Sequence, residues 1–188
     1  MGEQLLQLAC HDLSHWLEQN LVSQEFYIGF NLSVSQLTQT TLPHQLSQLL
    51  AQHQLTSQQL RLEITETALL DNVLATDIIT QLSNQGFHLC IDDFGTGYSS
   101  FSYLHKLPVK TLKIDRSFVH NLMPNNRDAQ IITAIINMAK GLNMTIVSEG
   151  IETSEQLHLL KELGCDSGQG FLLGEPASSK RIMQTIVS

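Results

Sequence analysis

Apolar residues along this chain alternate between two periods. The segment LLQLACHDLSHWLEQN places Leu5, Leu6, Ala9, Leu13, Trp16 and Leu17 at steps of three and four with polar residues between them, which predicts an amphipathic helix. FYIGFNLS follows as a short aromatic and β-branched run, and LPHQLSQLLAQH returns to helical spacing through Leu42, Leu46, Leu49 and Leu50. The unit then repeats. LRLEITE precedes a helix near Ala75 to Asn84, FHLCIDD one over Ser100 to His105, VKTLKID one over Asp128 to Lys140, MTIVSEG one over Ser154 to Leu163, and SGQGF one over Ser179 to Ile186. Asn84-Gln85-Gly86 and Lys140-Gly141 read as helix ends, and Gly164 follows Leu163 as a third.

Strands alternating with helices indicate βαβ units and a parallel sheet, so the class is α/β. The pattern gives six strands after an initial helix. A closed barrel of this kind needs eight, so the chain is either a doubly wound open sheet or a barrel with two strands missing from the front. Each strand runs into a polar or charged side chain: Asn31, Glu63, Asp92 with Asp93, Lys113 with Asp115, Glu149, and Gln169. If the strands are parallel, these groups share the carboxyl edge of the sheet, where α/β barrels assemble their active sites.

Composition narrows what such a site serves. With 188 residues, 42% of them hydrophobic, the chain suits one domain and one core. A formal charge of −8 and no Lys/Arg cluster speak against DNA or RNA as a partner, and an anionic ligand would need help from a metal. Cys10, Cys90 and Cys165 are odd in number and lack CxxC spacing, which points to a reducing, cytosolic compartment. No basic n-region opens the chain and no apolar run approaches about 18 residues, so no signal peptide or membrane span is expected within it.

The motifs carry different weights. In LEITE, Glu63 falls on the strand face opposite Leu62 and Ile64, and a carboxylate there is costly to bury unless paired or bound to a cation; a solvated edge strand is the alternative. In IDDFGTGYSS, two adjacent carboxylates at a strand end point in different directions and suit two metals, or one metal and a hydrogen-bond network; the plain alternative is a turn-forming Asp93 and a flexible loop. DFG also occurs in protein kinases, but no glycine-rich loop, VAIK-type lysine or HRD accompanies it. LKID projects Lys113 and Asp115 on one face, either for a water or phosphate oxygen or as a structural ion pair. Thr153 and Gln156 have capping-box spacing, which explains part of SEGIETSEQL but not Glu149. A lone Gln169 is more often hydrogen-bonded to backbone in the interior than bound to a ligand. Neither HExxH nor GxSxG occurs, so zinc-peptidase and serine-hydrolase readings lack their motifs.

Taken in order, NLS, EITE, DDFGTGYSS, LPVKTLKID, SEGIE and GCDSGQGFLLGEP resemble the EAL-domain family of cyclic di-GMP phosphodiesterases, from about Leu5 to the end of the chain. The resemblance implies a (β/α)8 TIM-type barrel with one strand reversed, and hydrolysis of cyclic di-GMP to linear pGpG with Mg²⁺ or Mn²⁺ at a two-metal site. It implies Asn31, Glu63, Asp92, Asp93 and Glu149 as metal ligands, Lys113 as holder of the attacking water or a phosphate oxygen, and Glu149 also as general base. Glu66 would brace the loop after Asp93, and Asp115, Glu152 and Gln169 would complete the polar surroundings. A homodimer through the DDFGTGYSS loop and the helix after it, or through open sheet edges, is implied as well; Tyr98 and Phe101 read equally as core residues. The family's Glu-Ala-Leu motif, whose glutamate is a metal ligand, does not occur in the sequence. Residues 1–188 therefore read as the C-terminal portion of a single EAL domain, with the first two strands and first helix absent. The expectation is weak or no turnover by this chain alone, the alternatives being an inactive cyclic di-GMP receptor or a protein-interaction domain.

Overall fold

The structure, a computed structural model, describes residues 2–69, 73–96 and 104–187. Its strands are β1 (Ile28–Leu32), β2 (Leu60–Thr65), β3 (His88–Phe94), β4 (Thr111–Ile114), β5 (Thr145–Ser148) and β6 (Ser167–Gly168), and they follow chain order in one six-stranded sheet. The pairings of β3 with β4, β4 with β5 and β5 with β6 are parallel, as the alternation of elements predicts. The helices are α1 (Gly2–Glu18), α2 (Leu42–Gln52), α3 (Val73–Asn84), α4 (Arg116–His120), α5 (Arg127–Gly141), α6 (Ser154–Leu163) and α7 (Ser179–Val187). Of the helix expected over Ser100 to His105, all but the last two residues lie outside the described residues, as do Tyr98 and Phe101.

By contacts the chain divides into two compact units. The first comprises Met1–Glu63, Val73–His88 and Pro176–Ser188. In it α1 packs on β1 and α2, and α2 packs on α3. The buried line of α1 is Leu6, Cys10, Leu13, Trp16 and Leu17, whereas Leu5 points to solvent, so the apolar stripe is narrower than its sequence pattern implied. One residue step turns a helix by about 100°, which carries Leu5 off the face that Leu6 buries. Trp16 meets Phe26 edge-on, with ring centroids 6.2 Å apart.

The second unit comprises Ile64–Asn72 and Leu89–Glu175. Here β4 is buried along its whole length, and α5 packs against β4, β5, α4 and α6. Helix α6 begins with the anticipated capping box, Thr153 accepting from the Gln156 N–H while the Gln156 side chain accepts from the Thr153 N–H, and it ends at Gly164 with φ 90°. Helix α5 ends at Gly141, where Lys140-Gly141 predicts a stop, and the left-handed residue follows at Asn143, φ 56°, whose short polar side chain tolerates that conformation. The five-residue α4 was not anticipated. Asp115 caps it, accepting from the Ser117 N–H at 3.0 Å.

Candidate active site

The second unit brings four of the predicted side chains to one place. Asp92 and Asp93 come from the end of β3 and Glu149 from just past β5, and each offers a carboxylate oxygen within 4.8 Å of the others. Lys113, from the middle of β4, reaches between them, its Nζ 3.0 Å from Asp92 Oδ1 and 2.6 Å from Glu149 Oε1. Lys113 and Asp92 are both buried. Ionised groups in that position are stable only when paired, and the ammonium offsets part of the repulsion among the carboxylates. The alternative of a rim ion pair does not describe so enclosed a lysine.

A fault in the strand makes this convergence possible. Between β3 and β4, Ile91 faces Leu112 while Phe94 faces Ile114, so β3 carries one residue more than its neighbour. The extra residue lies at the two aspartates, and Asp93 adopts φ 54°. Regular alternation would send Asp92 and Asp93 to opposite faces. The bulge brings both to the Glu149 side, which corrects the expectation that they point in different directions. Their crowding shows in the Asp93 carboxyl, which is pushed above the usual range by partial burial and by the neighbouring Asp92 and Asp115 charges.

Two further contacts hold the loop after Asp93. The buried Glu66 carboxylate accepts from the Gly95 N–H at 2.9 Å, and the Thr96 hydroxyl donates to the Asp93 carbonyl at 2.9 Å. Gly95 sits at φ 99°, and a Cβ there would come within 2.7 Å of the Phe118 ring. Glu149 is fixed through its backbone, its N–H donating to the Ile114 carbonyl at 3.0 Å. Gly150, φ 70°, lets the chain turn against the Cβ of Arg116. Phe118, Gly150 and Arg116 escaped the sequence reading. A glycine within two residues of a strand-end carboxylate was the signal available, in Asp93-Phe94-Gly95 and again in Glu149-Gly150.

Among the other predicted residues, Asp115 lies beside Asp93. Asp115 is an N-cap, and although partial burial works against it, hydrogen bonds from Ser117 hold its carboxyl below the usual range. Glu152 is exposed and lines a cleft of about 430 Å³ with Arg116, Ser117, His120, Asn121 and Gly150. Gln169 follows the two-residue β6, and its backbone bonds to Ser148 and Ile151 while its side chain is exposed. The interior, backbone-bonded glutamine expected from type alone is therefore corrected, because β6 is too short to carry residue 169 inward. In the first unit, Asn31 lies exposed on β1, and Glu63 lies half-buried on β2, on the strand face opposite Leu62 and Ile64 as the alternation predicts. An ideal Cβ at Gly29 would sit only 2.5 Å from Glu63 Oε1, so this carboxylate crosses β1 at the residue that has no side chain.

The donor set fits a hard divalent cation. Three carboxylates without histidine or thiolate suit Mg²⁺ or Mn²⁺ better than softer metals. Among the described residues no helix is long and apolar enough to cross a membrane.

Comparison with known proteins adds the identity that geometry alone leaves open. The bifunctional diguanylate cyclase/cyclic di-GMP phosphodiesterase MucR of Pseudomonas aeruginosa is 41% identical over 187 residues, 99% of this chain and 27% of MucR. The chain spans about a quarter of the length of the curated relatives it matches. The solved structure of the PaMucR phosphodiesterase in its c-di-GMP complex superposes with a TM-score of 0.89 at 42% identity, over 96% of this chain and 78% of that one. The manganese/cy-diGMP complex of Klebsiella pneumoniae BlrP1 gives 0.80 at 26% identity, over 92% and 45%. A family model described as the EAL domain matches residues 1–176, and with it the six-strand α/β sheet has its parent architecture: the chain belongs to the EAL-domain family.

Proposed function

We propose that this chain supplies most of a metal-dependent phosphodiesterase site that opens cyclic di-GMP to linear pGpG. The carrying observation is the carboxylate cluster of Asp92, Asp93 and Glu149 bridged by Lys113. The complexes of PaMucR with c-di-GMP and of BlrP1 with manganese and the same dinucleotide support the choice of ligand and metal. In this reading Asn31 and Glu63 of the first unit are metal ligands as well. When bound, two Mg²⁺ or Mn²⁺ ions would supply Lewis-acid polarisation of a phosphoryl oxygen and a lowered water pKa.

The remaining chemistry belongs to the protein. Glu149 takes the proton of the attacking water, and the Lys113 ammonium, already between two carboxylates, is placed to donate to the water or to a phosphate oxygen. Glu66 keeps the loop after Asp93 in place through Gly95. Arg116 and Glu152, which line one cleft, and the exposed Gln169 complete the polar surroundings with Asp115. Because the 188 residues contain no Glu-Ala-Leu, whose glutamate the resemblance makes a metal ligand, the purified chain alone is expected to turn over cyclic di-GMP weakly or not at all. Chromatographic assay for pGpG with Mn²⁺ tests this, and efficient turnover would overturn it.

The same missing tripeptide favours a second reading, a cyclic di-GMP receptor without turnover. Calorimetry separates the two. Micromolar or tighter binding without pGpG formation supports the receptor, and no binding removes it. Self-association, through sheet edges or the loop after Asp93, is tested by sedimentation velocity at high concentration, where a purely monomeric profile counts against it.

A further inference from the structure

One glycine in the first unit is defined by what lies over it. Tyr27 directly precedes β1, along which Gly29 and Asn31 share one face, and along β2, Arg61, Glu63 and Thr65 share one face. The Arg61 guanidinium stacks on the Tyr27 ring, its Cζ 3.3 Å from the centroid. Two residues further along both strands, the Glu63 carboxylate lies over Gly29. The two contacts advance together, so a large side chain at residue 27 is followed by an open slot at residue 29. Strand spacing puts the slot about 7 Å from Asn31 on the same face.

We propose that Gly29 is a positioning residue for the metal site: its missing side chain is the seat of the Glu63 carboxylate, and any Cβ there displaces that carboxylate while leaving the fold intact. The inference rests on Glu63 being a metal ligand. Gly29 has no left-handed φ that would itself demand glycine. What an added methyl would meet is the far end of a flexible side chain, Glu63 Oε1 at 2.5 Å and Cδ at 3.2 Å, and not backbone. The side chain can swing aside at little cost to packing. The carboxylate then leaves the place that Gly29 gives it.

The test is a double-mutant cycle on the full chain, read as Mn²⁺ affinity by electron paramagnetic resonance, with thermal unfolding alongside. Gly29→Ala is expected to lower Mn²⁺ affinity about tenfold, the scale at which orienting contacts act on metal sites, with Tm unchanged. In a Glu63→Ala background the same substitution should have no further effect on affinity, because the methyl then has nothing to displace. Full affinity in Gly29→Ala, or an equal loss with and without the Glu63 carboxylate, overturns the proposal while leaving Glu63 as a ligand. No Mn²⁺ binding by the unmodified chain, or unchanged affinity in Glu63→Ala, overturns the assignment of Glu63 and the inference with it.

Discussion

The ends of β3, β4 and β5 and the strands β1 and β2 hold their acidic groups by opposite means. At the first, Asp92, Asp93 and Glu149 are crowded, and a buried lysine, a bulge and a left-handed aspartate make the crowding tolerable. At the second, Glu63 stays half-buried and is placed by the absence of a side chain at Gly29. Where charge is buried, position must be fixed by a counter-charge, and it carries a stability cost if that partner is removed. Where charge remains near water, shape helps to place it, and changing the shape costs function before stability.

The largest test of this contrast removes the counter-charge. Lys113→Met leaves Asp92 and Glu149 facing each other and Asp93 without an ammonium, and breaking a buried pair in this way costs about 3–5 kcal/mol. Urea unfolding at neutral pH should show that loss, and the deficit should shrink as pH falls and the carboxylates take up protons. A loss below about 1 kcal/mol would mean that the cluster is held by its strands and not by charge, and the contrast with Glu63 would break. The next test removes a backbone anchor. Glu66→Ala leaves the Gly95 N–H without its carboxylate acceptor, at about 1–3 kcal/mol, whereas Glu66→Gln keeps an acceptor oxygen and should lose less. Equal losses in the two variants would show that burial of the side chain matters here and the hydrogen bond does not.

Much of this was legible in the chain. Five of the six strands fall within the segments that the pattern marks, and β3 overruns its segment only by Phe94, because the side chains of a strand follow a period that no helix shares. Helix α4 was not legible, since five residues make too few turns to show a period and its signal is one capping aspartate. The polar strand ends were readable as candidates, but not the bulge that turns Asp92 and Asp93 to one side, which arises from pairing with β4. Glycines were visible as punctuation only. What Gly29 accommodates depends on a side chain 34 positions later, and local sequence carries no trace of it.

The smallest expected effect has the opposite sign. Asp93 has a carboxyl raised above its ordinary value by partial burial and by the charges of Asp92 and Asp115, so the folded state binds its proton more tightly than the unfolded chain does. A raised carboxyl opposes folding once it ionises: stability is greatest below the unfolded value and falls as pH rises towards the folded one. Asp93→Asn removes that charge, and asparagine is among the few residues at ease with φ 54°. The variant should therefore melt slightly higher than the native chain at pH 7, and the gap should close towards pH 3, where the native carboxyl is protonated as well. Mn²⁺ affinity should fall in the same protein, because the amide replaces one of the three carboxylates in the cluster. A stability gain accompanied by weaker metal binding is the signature of a charge kept for function against the preference of the fold. A lower melting temperature in Asp93→Asn would mean instead that Asp93 stabilises its own bulge, and the crowding at β3 would then be a structural device.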